Sequence, residues 1–304
     1  MSELQPLLDE IAATLRPQAG QQGKVADYIP ALARVKPEQF GIALRSCDGA
    51  EAAAGDCDAP FSIQSVSKLF SLTLCLQLIG EALWDRVGRE PSGNPFNSLV
   101  QLESEQGKPR NPFINAGAIA VADRLISQGR TEAHLIAMLG DLADATIDID
   151  EEVATSEAQT GFRNHALANF MKSFGKLDND VAAVLNVYFR QCAIRMSCRQ
   201  LARAAGYLCR DGAHPGGSAP MLDERQTRRI NALMLTCGTY DMAGEFAYRI
   251  GLPCKSGVGG GIVAVVPDRL TLCVWSPALD KSGNSWLGMQ ALEMFVARTG
   301  LSVF

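Results

Sequence analysis

Gln64-Ser65-Val66-Ser67-Lys68-Leu69-Phe70-Ser71-Leu72-Thr73-Leu74-Cys75-Leu76 is a polar turn that runs straight into an apolar helix. Residues three apart on a helix share a face, so the spacing places the Ser65 hydroxyl and the Lys68 amine within hydrogen-bonding reach. A serine becomes a useful nucleophile only beside a base. A lysine desolvated against apolar neighbours favours its neutral amine, which can take the serine proton near neutral pH. The helix N-terminus adds free backbone N–H groups where negative charge would develop. The same residues also fit a plainer description, with Ser65 as a cap and Lys68 as a solvated first-turn residue. A second S-x-x-K, Ser173-Phe174-Gly175-Lys176, has a glycine inside it and runs into the polar Leu177-Asp178-Asn179-Asp180, which marks it as a decoy.

Upstream, apolar spacing predicts a short amphipathic helix near Leu4–Leu15, another around Lys24–Arg34, and a strand at Phe40–Arg45 that turns at Asp48-Gly49. The helix that opens at Ser65 extends to about Arg86. From roughly Asn115 to Asp211 helical periodicity dominates, with helices at Ala116–Ser127, Thr131–Leu142, Glu152–Ser173, Val181–Ala193 and Cys198–Cys209. Another helix follows near Glu224–Leu235. The character then changes: Gly261-Ile262-Val263-Ala264-Val265-Val266-Pro267 and Leu270-Thr271-Leu272-Cys273-Val274-Trp275 are β-rich runs joined by Asp268-Arg269, a hairpin pattern. A last helix, about Ser285–Thr299, begins after the turn Asp280-Lys281-Ser282-Gly283-Asn284. Helices at the outer ends, strands just inside them and a helical insert predict an α+β fold whose antiparallel sheet draws strands from both ends of the chain. No repeat, low-complexity tract or Pro/Ser-rich linker offers a place to cut. The expectation is therefore one unit over residues 1–304, in which 1–64 and 220–304 hold the sheet and 65–219 are mainly helical.

With 304 residues, 47% of them hydrophobic, the chain can bury a large core. A net charge of −5 with no basic run argues against nucleic acid as a partner, because phosphate binding needs a basic face. The start, Met1-Ser2-Glu3-Leu4-Gln5-Pro6-Leu7-Leu8-Asp9-Glu10, has acidic residues where a secretory signal has a basic region. The apolar stretches are too short or too interrupted to span a bilayer, so no membrane is expected and the cytoplasm is the expected location. Nine cysteines, from Cys47 to Cys273 with no C-x-x-C pair, read as reduced core residues, and a zinc site is not expected. Three histidines, His134, His165 and His214, lie outside any metal-binding or G-x-S-x-G context, which leaves a serine–histidine mechanism poorly supported.

Lys255-Ser256-Gly257-Val258-Gly259-Gly260-Gly261 leads into the strand at Ile262. A glycine backbone can approach a substrate closely, so a sheet edge here could supply an N–H to an oxyanion; a glycine bulge or tight turn explains the same residues. A dinucleotide loop does not, since it must follow a strand and open a helix. Tyr240, in Cys237-Gly238-Thr239-Tyr240-Asp241, falls just after a predicted helix. A tyrosine can shuttle a proton where a neighbouring ammonium lowers its pKa; otherwise it is a packed ring with one satisfied hydroxyl, a reading that also covers Tyr28 and Tyr188. Glu157 and Asn164 are seven apart, about two turns, and can project from one face of the predicted helix, as solvated positions or into a site.

Along nearly its whole length the chain resembles the bacterial-type glutaminases, serine-dependent amidohydrolases of the β-lactamase/penicillin-binding-protein fold. The matching segments are Asp27-Tyr28-Ile29-Pro30, Gln64-Ser65 with Lys68, Asn111-Pro112 with Asn115-Ala116-Gly117-Ala118-Ile119, and Ser156-Glu157 with Arg163-Asn164. They continue through Tyr188-Phe189, Cys237-Gly238 with Tyr240-Asp241, Gly251-Leu252-Pro253, Lys255-Ser256-Gly257-Val258 and Trp275-Ser276-Pro277. Departures, such as Phe113-Ile114 before Asn115 and Phe162 before Arg163, fall in less constrained places.

The resemblance implies a β-lactamase/transpeptidase-like antiparallel sheet flanked by helices with an inserted helical part, no metal or cofactor, and a homo-oligomer, commonly a tetramer. It implies that Ser65 attacks the side-chain amide of L-glutamine, that Lys68 activates it, and that Tyr240 moves protons to the leaving ammonia and from water, with Tyr28 close by. The backbone N–H groups of Ser65 and Val258 would form the oxyanion hole. Glu157 would meet the substrate α-ammonium, Asn115, Asn164 and Tyr188 would surround the α-carboxylate, and Gln64 would orient the substrate. An amino-acid zwitterion does need one anionic partner and several neutral donors. Two rivals remain at this point. A β-lactamase or D,D-peptidase shares S-x-x-K and K-[ST]-G, but the S-D-N element and an export signal are missing. A non-catalytic glutamine-binding protein would have lost Ser65, Lys68 or Tyr240, and all three are present.

Overall fold

The computed structural model describes residues 4–93, 98–217 and 219–304. In chain order the first half runs α1 (Leu4–Leu15), β1 (Gly41–Ser46), β2 (Glu51–Gly55), β3 (Phe61–Ser62), α2 (Ser67–Ile79), α3 (Leu99–Ser104), α4 (Asn115–Ser127), α5 (Glu132–Ala143) and β4 (Asp148–Ile149). The second half runs α6 (Glu151–Thr160), α7 (Phe162–Ser173), α8 (Val181–Cys192), β5 (Ile194–Met196), α9 (Cys198–Ala204), α10 (Glu224–Cys237), α11 (Ala243–Arg249), β6 (Cys254–Ser256), β7 (Gly261–Val266), β8 (Leu270–Trp275) and α12 (Trp286–Thr299).

Period-two alternation decides the main sheet. Five antiparallel strands lie in the order β2-β1-β8-β7-β6, so the two ends of the chain meet where β1 pairs with β8, Ile42 opposite Val274 and Leu44 opposite Leu272. Ile42, Leu44, Ile262, Ala264, Leu272 and Val274 face a core shared with Leu8 and Ile11 of α1 and Leu292 and Phe295 of α12. Their neighbours in sequence, Ala43, Val263, Val265, Cys273 and Trp275, face the opposite way into a core continuous with the helical part. Each fully buried Leu or Phe contributes about 1.5–3 kcal/mol of transfer free energy, so both faces hold the sheet firmly. The α+β expectation, with an antiparallel sheet flanked by helices, is the observed architecture.

Four expectations need correction. Lys24–Arg34 is not an α-helix: Lys24 forms a bridge with Leu279, turns follow, and only Leu32–Arg34 coils, as a 3-10 turn. The helix expected from Ser65 to Arg86 is three pieces, a 3-10 turn at Gln64–Val66, α2, and a 3-10 turn at Gly80–Asp85 after a break at Gly80, φ +53°. The run Gln64–Asp85 is apolar and long enough by composition to cross a membrane, but most of its apolar window is buried in the core and α2 itself has only 13 residues. The helix expected at Glu152–Ser173 is interrupted at Gly161, where a Cβ would stand 2.6 Å from Glu157 O and 2.7 Å from the Phe189 ring. The block read as all-helical also supplies β4 and β5, which pair with β3 in a second, three-stranded sheet. All nine cysteines are free thiols, eight of them buried.

Candidate active site

The main sheet ends at β6, and the chain leaving that edge, Gly257-Val258-Gly259, lies against the backbone that carries Ser65. A Cβ on Gly259 would stand 2.1 Å from Ser62 O, and one on Gly257 would stand 2.5 Å from Ile63 O and 3.2 Å from Ser65 N. Close backbone approach is therefore what these glycines provide. Ser65 sits in the 3-10 turn between β3 and α2 with no capping hydrogen bond, and it is buried. Its neighbour Gln64 is held at φ +48°, and Tyr240, whose hydroxyl donates to Ser256 O at 3.4 Å, at φ +60°. Strained non-glycine backbone of this kind persists where the surroundings over-determine it. For Gln64 the surroundings include Ser62, whose Oγ accepts from Gln64 Nε2 at 3.1 Å and donates to Cys192 O at 2.9 Å.

Lys68 is 3% exposed. Its Nζ donates to Phe113 O at 3.2 Å and to Asn115 Oδ1 at 2.7 Å, both at the start of α4, and no hydrogen bond joins it to Ser65. The expected serine–lysine hydrogen bond is thus absent, and the start of α4 holds the amine instead. Burial brings the Lys68 amine down to about 8, against the opposing pull of Cys192 and Glu157. Asn115 continues the chain of contacts, its Nδ2 donating to Asn164 Oδ1 at 2.9 Å. Burial also pushes the Glu157 carboxyl up to about 7, with the Gln64 side chain and the Lys68 charge opposing.

Tyr240 differs from the sequence reading in one respect. The lysine near it is Lys255, fully buried, with Nζ 5.2 Å from the centre of the Tyr240 ring and donating to Gly238 O and Ser256 O. It lies over the ring face rather than at the hydroxyl, and burial raises the Tyr240 pKa. The Lys255 amine itself is pushed well below its ordinary value, by burial first and by Lys68 second.

These groups surround a cavity of about 590 Å3 lined by Tyr28, Gln64, Ser65, Asn115, Glu157, Asn164, Tyr188 and Val258. Lys68 and Tyr240 are outside that lining: Lys68 reaches it through Asn115, and Tyr240 packs in one buried cluster with Val258. Although Gly161 breaks the helix between them, Glu157 on α6 and Asn164 on α7 both face the cavity. Tyr28, 59% exposed, stands on the segment tied to Leu279. The lining also includes exposed cations, Lys24, Arg163 and Lys281, and the anions Asp27 and Asp280. Sequence reading missed Cys192, which lines the cavity one helical turn beyond Tyr188; that four-residue spacing is the signal that could have found it. Among the described residues no three of His, Cys, Asp and Glu gather as a metal-binding group.

A cavity lined by a buried serine, a buried carboxyl and several amide and hydroxyl groups, with a lysine amine behind it, is a small-molecule site. The model of the family described as Glutaminase matches residues 23–304. The chain belongs to the glutaminase family. It is 56% identical to a glutaminase of Methylobacterium sp. (strain 4-46) over 100% of this chain and 99% of that one, and 58% identical to a glutaminase of Rhizobium rhizogenes with the same coverage. Among solved structures, "Probable glutaminase ybaS" superposes with a TM-score of 0.94 at 36% identity, covering 100% of this chain and 98% of the other. A probable glutaminase from Bacillus subtilis complexed with 6-diazo-5-oxo-L-norleucine gives a TM-score of 0.87 at 34% identity, covering 98% and 95%. As a glutaminase the chain hydrolyses L-glutamine to L-glutamate and ammonia, on the β-lactamase-like fold of its structural neighbours.

Proposed function

We propose that this glutaminase works through a serine acyl-enzyme in which Ser65 is the nucleophile and Lys68 its base. The observation that carries the reading is what converges on the cavity: the buried Ser65 in its lining, and the buried Lys68 amine, brought down to about 8 and held by the lining residue Asn115. Ser65 Oγ adds to the side-chain carbonyl carbon of glutamine while its proton passes to neutral Lys68. The oxyanion rests on the N–H groups of Ser65 and Val258, each donor contributing roughly 3–4 kcal/mol to the transition state. The C–N bond then breaks, Tyr240 delivers a proton to the departing nitrogen, and ammonia leaves. Water attacks the acyl-enzyme with the same groups in reverse, freeing glutamate and restoring the serine.

Glu157 pairs with the substrate α-ammonium, and that charge returns its carboxyl toward the ionised form. Asn115, Asn164 and Tyr188 hold the α-carboxylate, Gln64 orients the chain between them, and Tyr28 covers the mouth. The same reading treats residues 1–64 and 220–304 as the sheet part and 65–219 as the helical part of one catalytic unit, acting as a cytoplasmic homo-oligomer, a tetramer by family resemblance. Light scattering on the purified protein measures that last point, and a monomer would refute it.

A diazoketone analogue of glutamine alkylates the attacking oxygen with loss of N2, which makes 6-diazo-5-oxo-L-norleucine the direct probe. Peptide mapping after labelling should find the adduct on Ser65, and Ser65→Ala should lose both the adduct and ammonia release, by on the order of 1000-fold or more. An adduct on another residue, with Ser65→Ala still active, would reject the assignment.

A further inference from the structure

Cys47 is the one cysteine that is not buried. It lies in the turn that follows β1, and its Sγ stands 3.0 Å from the Sγ of Cys209, which ends the 3-10 turn Ala205–Cys209 after α9. Two sulfurs at that separation are about 1 Å from bonding distance. Both backbones are already held by the turn between β7 and β8: Cys47 N donates to Arg269 O at 2.8 Å, and Asp268 N donates to Cys209 O at 3.1 Å. The Cys47 thiol also donates to Cys209 O. The other close thiols, Cys198 and Cys273, are fully buried. Only the pair at the surface turn therefore combines contact with access.

We propose that Cys47 and Cys209 are a covalent modification site, a thiol pair that a low-molecular-weight disulfide such as oxidised glutathione converts reversibly into an intramolecular cross-link. The Cys47 thiolate attacks one sulfur of the small disulfide, forming a mixed disulfide and expelling one glutathione thiolate. Cys209, deprotonated in turn, attacks the Cys47 sulfur and expels the second. The protein's two thiols lose two electrons, the small disulfide gains them, and the two protons end on the two glutathione thiols. Burial raises the Cys47 thiol, with the Asp268 and Asp48 charges acting in the same direction, while Cys209 and Arg210 oppose, so exchange is slow at neutral pH and quickens in base.

The bond would tie the β1–β2 turn to the end of the 3-10 turn after α9 and enclose the intervening chain, including Ser65, Lys68, Asn115, Glu157 and Asn164. Cross-links of large loops constrain the unfolded chain most. None of the groups shifting the Cys47 thiol, namely Cys209, Arg210, Asp268 and Asp48, belongs to the cavity, so oxidation should raise the melting temperature and leave ammonia release unchanged.

The test treats the full chain with oxidised glutathione at about pH 8.5, where thiolate is available, and reads intact mass, thiol count in denaturant and peptide maps. Expected is a loss of about 2 Da, a fall in free thiols from nine by two, a linked Cys47–Cys209 peptide, and reversal by dithiothreitol. Cys47→Ser should keep its activity and stay uncross-linked. A wild-type chain in which Cys47 ends free or singly glutathionylated, or a cross-link that persists in Cys47→Ser, would overturn the proposal. The wild-type map decides the matter even if a variant folds poorly.

Discussion

Lys68 has two neutral acceptors, Phe113 O and Asn115 Oδ1, and among the described residues no carboxylate within ion-pairing distance. Its amine titrates at about 8 in the folded chain against an ordinary 10.5. Because the folded value is the lower one, carrying the ammonium into the core costs about 3 kcal/mol below pH 8, and that cost fades as pH rises toward the unfolded value. Lys68→Met removes the charge and two hydrogen bonds together, so urea unfolding at pH 7 should show a gain of about 1–2 kcal/mol, while ammonia release is lost. A destabilised Lys68→Met would mean that the hydrogen bonds outweigh desolvation. Catalysis follows the opposite form of the same group: kcat should climb with pH through about 8 as the amine becomes neutral. Glu157, raised to about 7, must be ionised to meet the ammonium, so kcat/KM should carry a further loss below that pH. The two groups interact, so the observed limits belong to the pair. Glu157→Gln should delete the lower step, and should weaken glutamine more than an analogue without the α-amino group; equal weakening would assign the ammonium elsewhere. Ser65 and Lys68 stood out as candidates in the sequence, but the hydrogen bond their spacing predicts does not form. What surrounds each was not legible, because Asn115 and Tyr240 arrive from 47 and 175 residues downstream of Lys68 and Ser65, through packing rather than local pattern.

The strands that carry the site show the same division at the level of elements. β1, β7 and β8 were readable because one-in, one-out alternation has a fixed period. The coiling of Gln64–Val66, the turns of Lys24–Arg34 and the break at Gly161 were not, because each is set by a neighbour distant in sequence: Gly257-Val258-Gly259, Leu279 and Phe189 respectively. β2 was also missed, being an edge strand of small residues. Its exposed edge is met by Gln5 of α1, whose side-chain amide donates to Ala53 O at 2.9 Å and accepts from Ala53 N at 3.1 Å, standing in for a missing strand. At the opposite edge the glycine segment must touch Ser62 and Ile63 for the Val258 and Ser65 N–H groups to act together. Gly259→Ala puts a Cβ 2.1 Å from Ser62 O, against backbone that cannot swing aside. Displacement by as little as an ångström can lower turnover on the order of 100-fold, so Gly259→Ala should keep its far-UV circular dichroism and lose kcat by about that factor. Near-normal kcat would show that the oxyanion is held without this edge.

In the whole molecule the cavity belongs to no single layer. Ser65 comes from the 3-10 turn ahead of α2, Asn115 from α4, Glu157, Asn164 and Tyr188 from α6, α7 and α8, Val258 from the sheet edge, and Tyr28 from the segment bridged to Leu279. The core behind it runs without interruption from Val263, Cys273 and Trp275 of the sheet to Leu72, Ile119 and Leu185 of the helices. A ligand that contacts sheet edge and helices at once binds only where both are in register, so it should stabilise them together rather than one at a time. Glutamate, the product, is the ligand for this test because it is not consumed. At 100 times its dissociation constant it adds about 2.7 kcal/mol to unfolding, which at roughly 2 °C per kcal/mol for a chain of this size is a rise of about 5 °C. The rise should appear as one calorimetric transition moving as a whole. Ser65→Ala should retain it, since the nucleophile is not needed for binding, and Glu157→Gln should lose most of it. Two transitions of which glutamate moves only one would mean that the sheet and helical parts unfold separately and that the ligand is gripped by one of them.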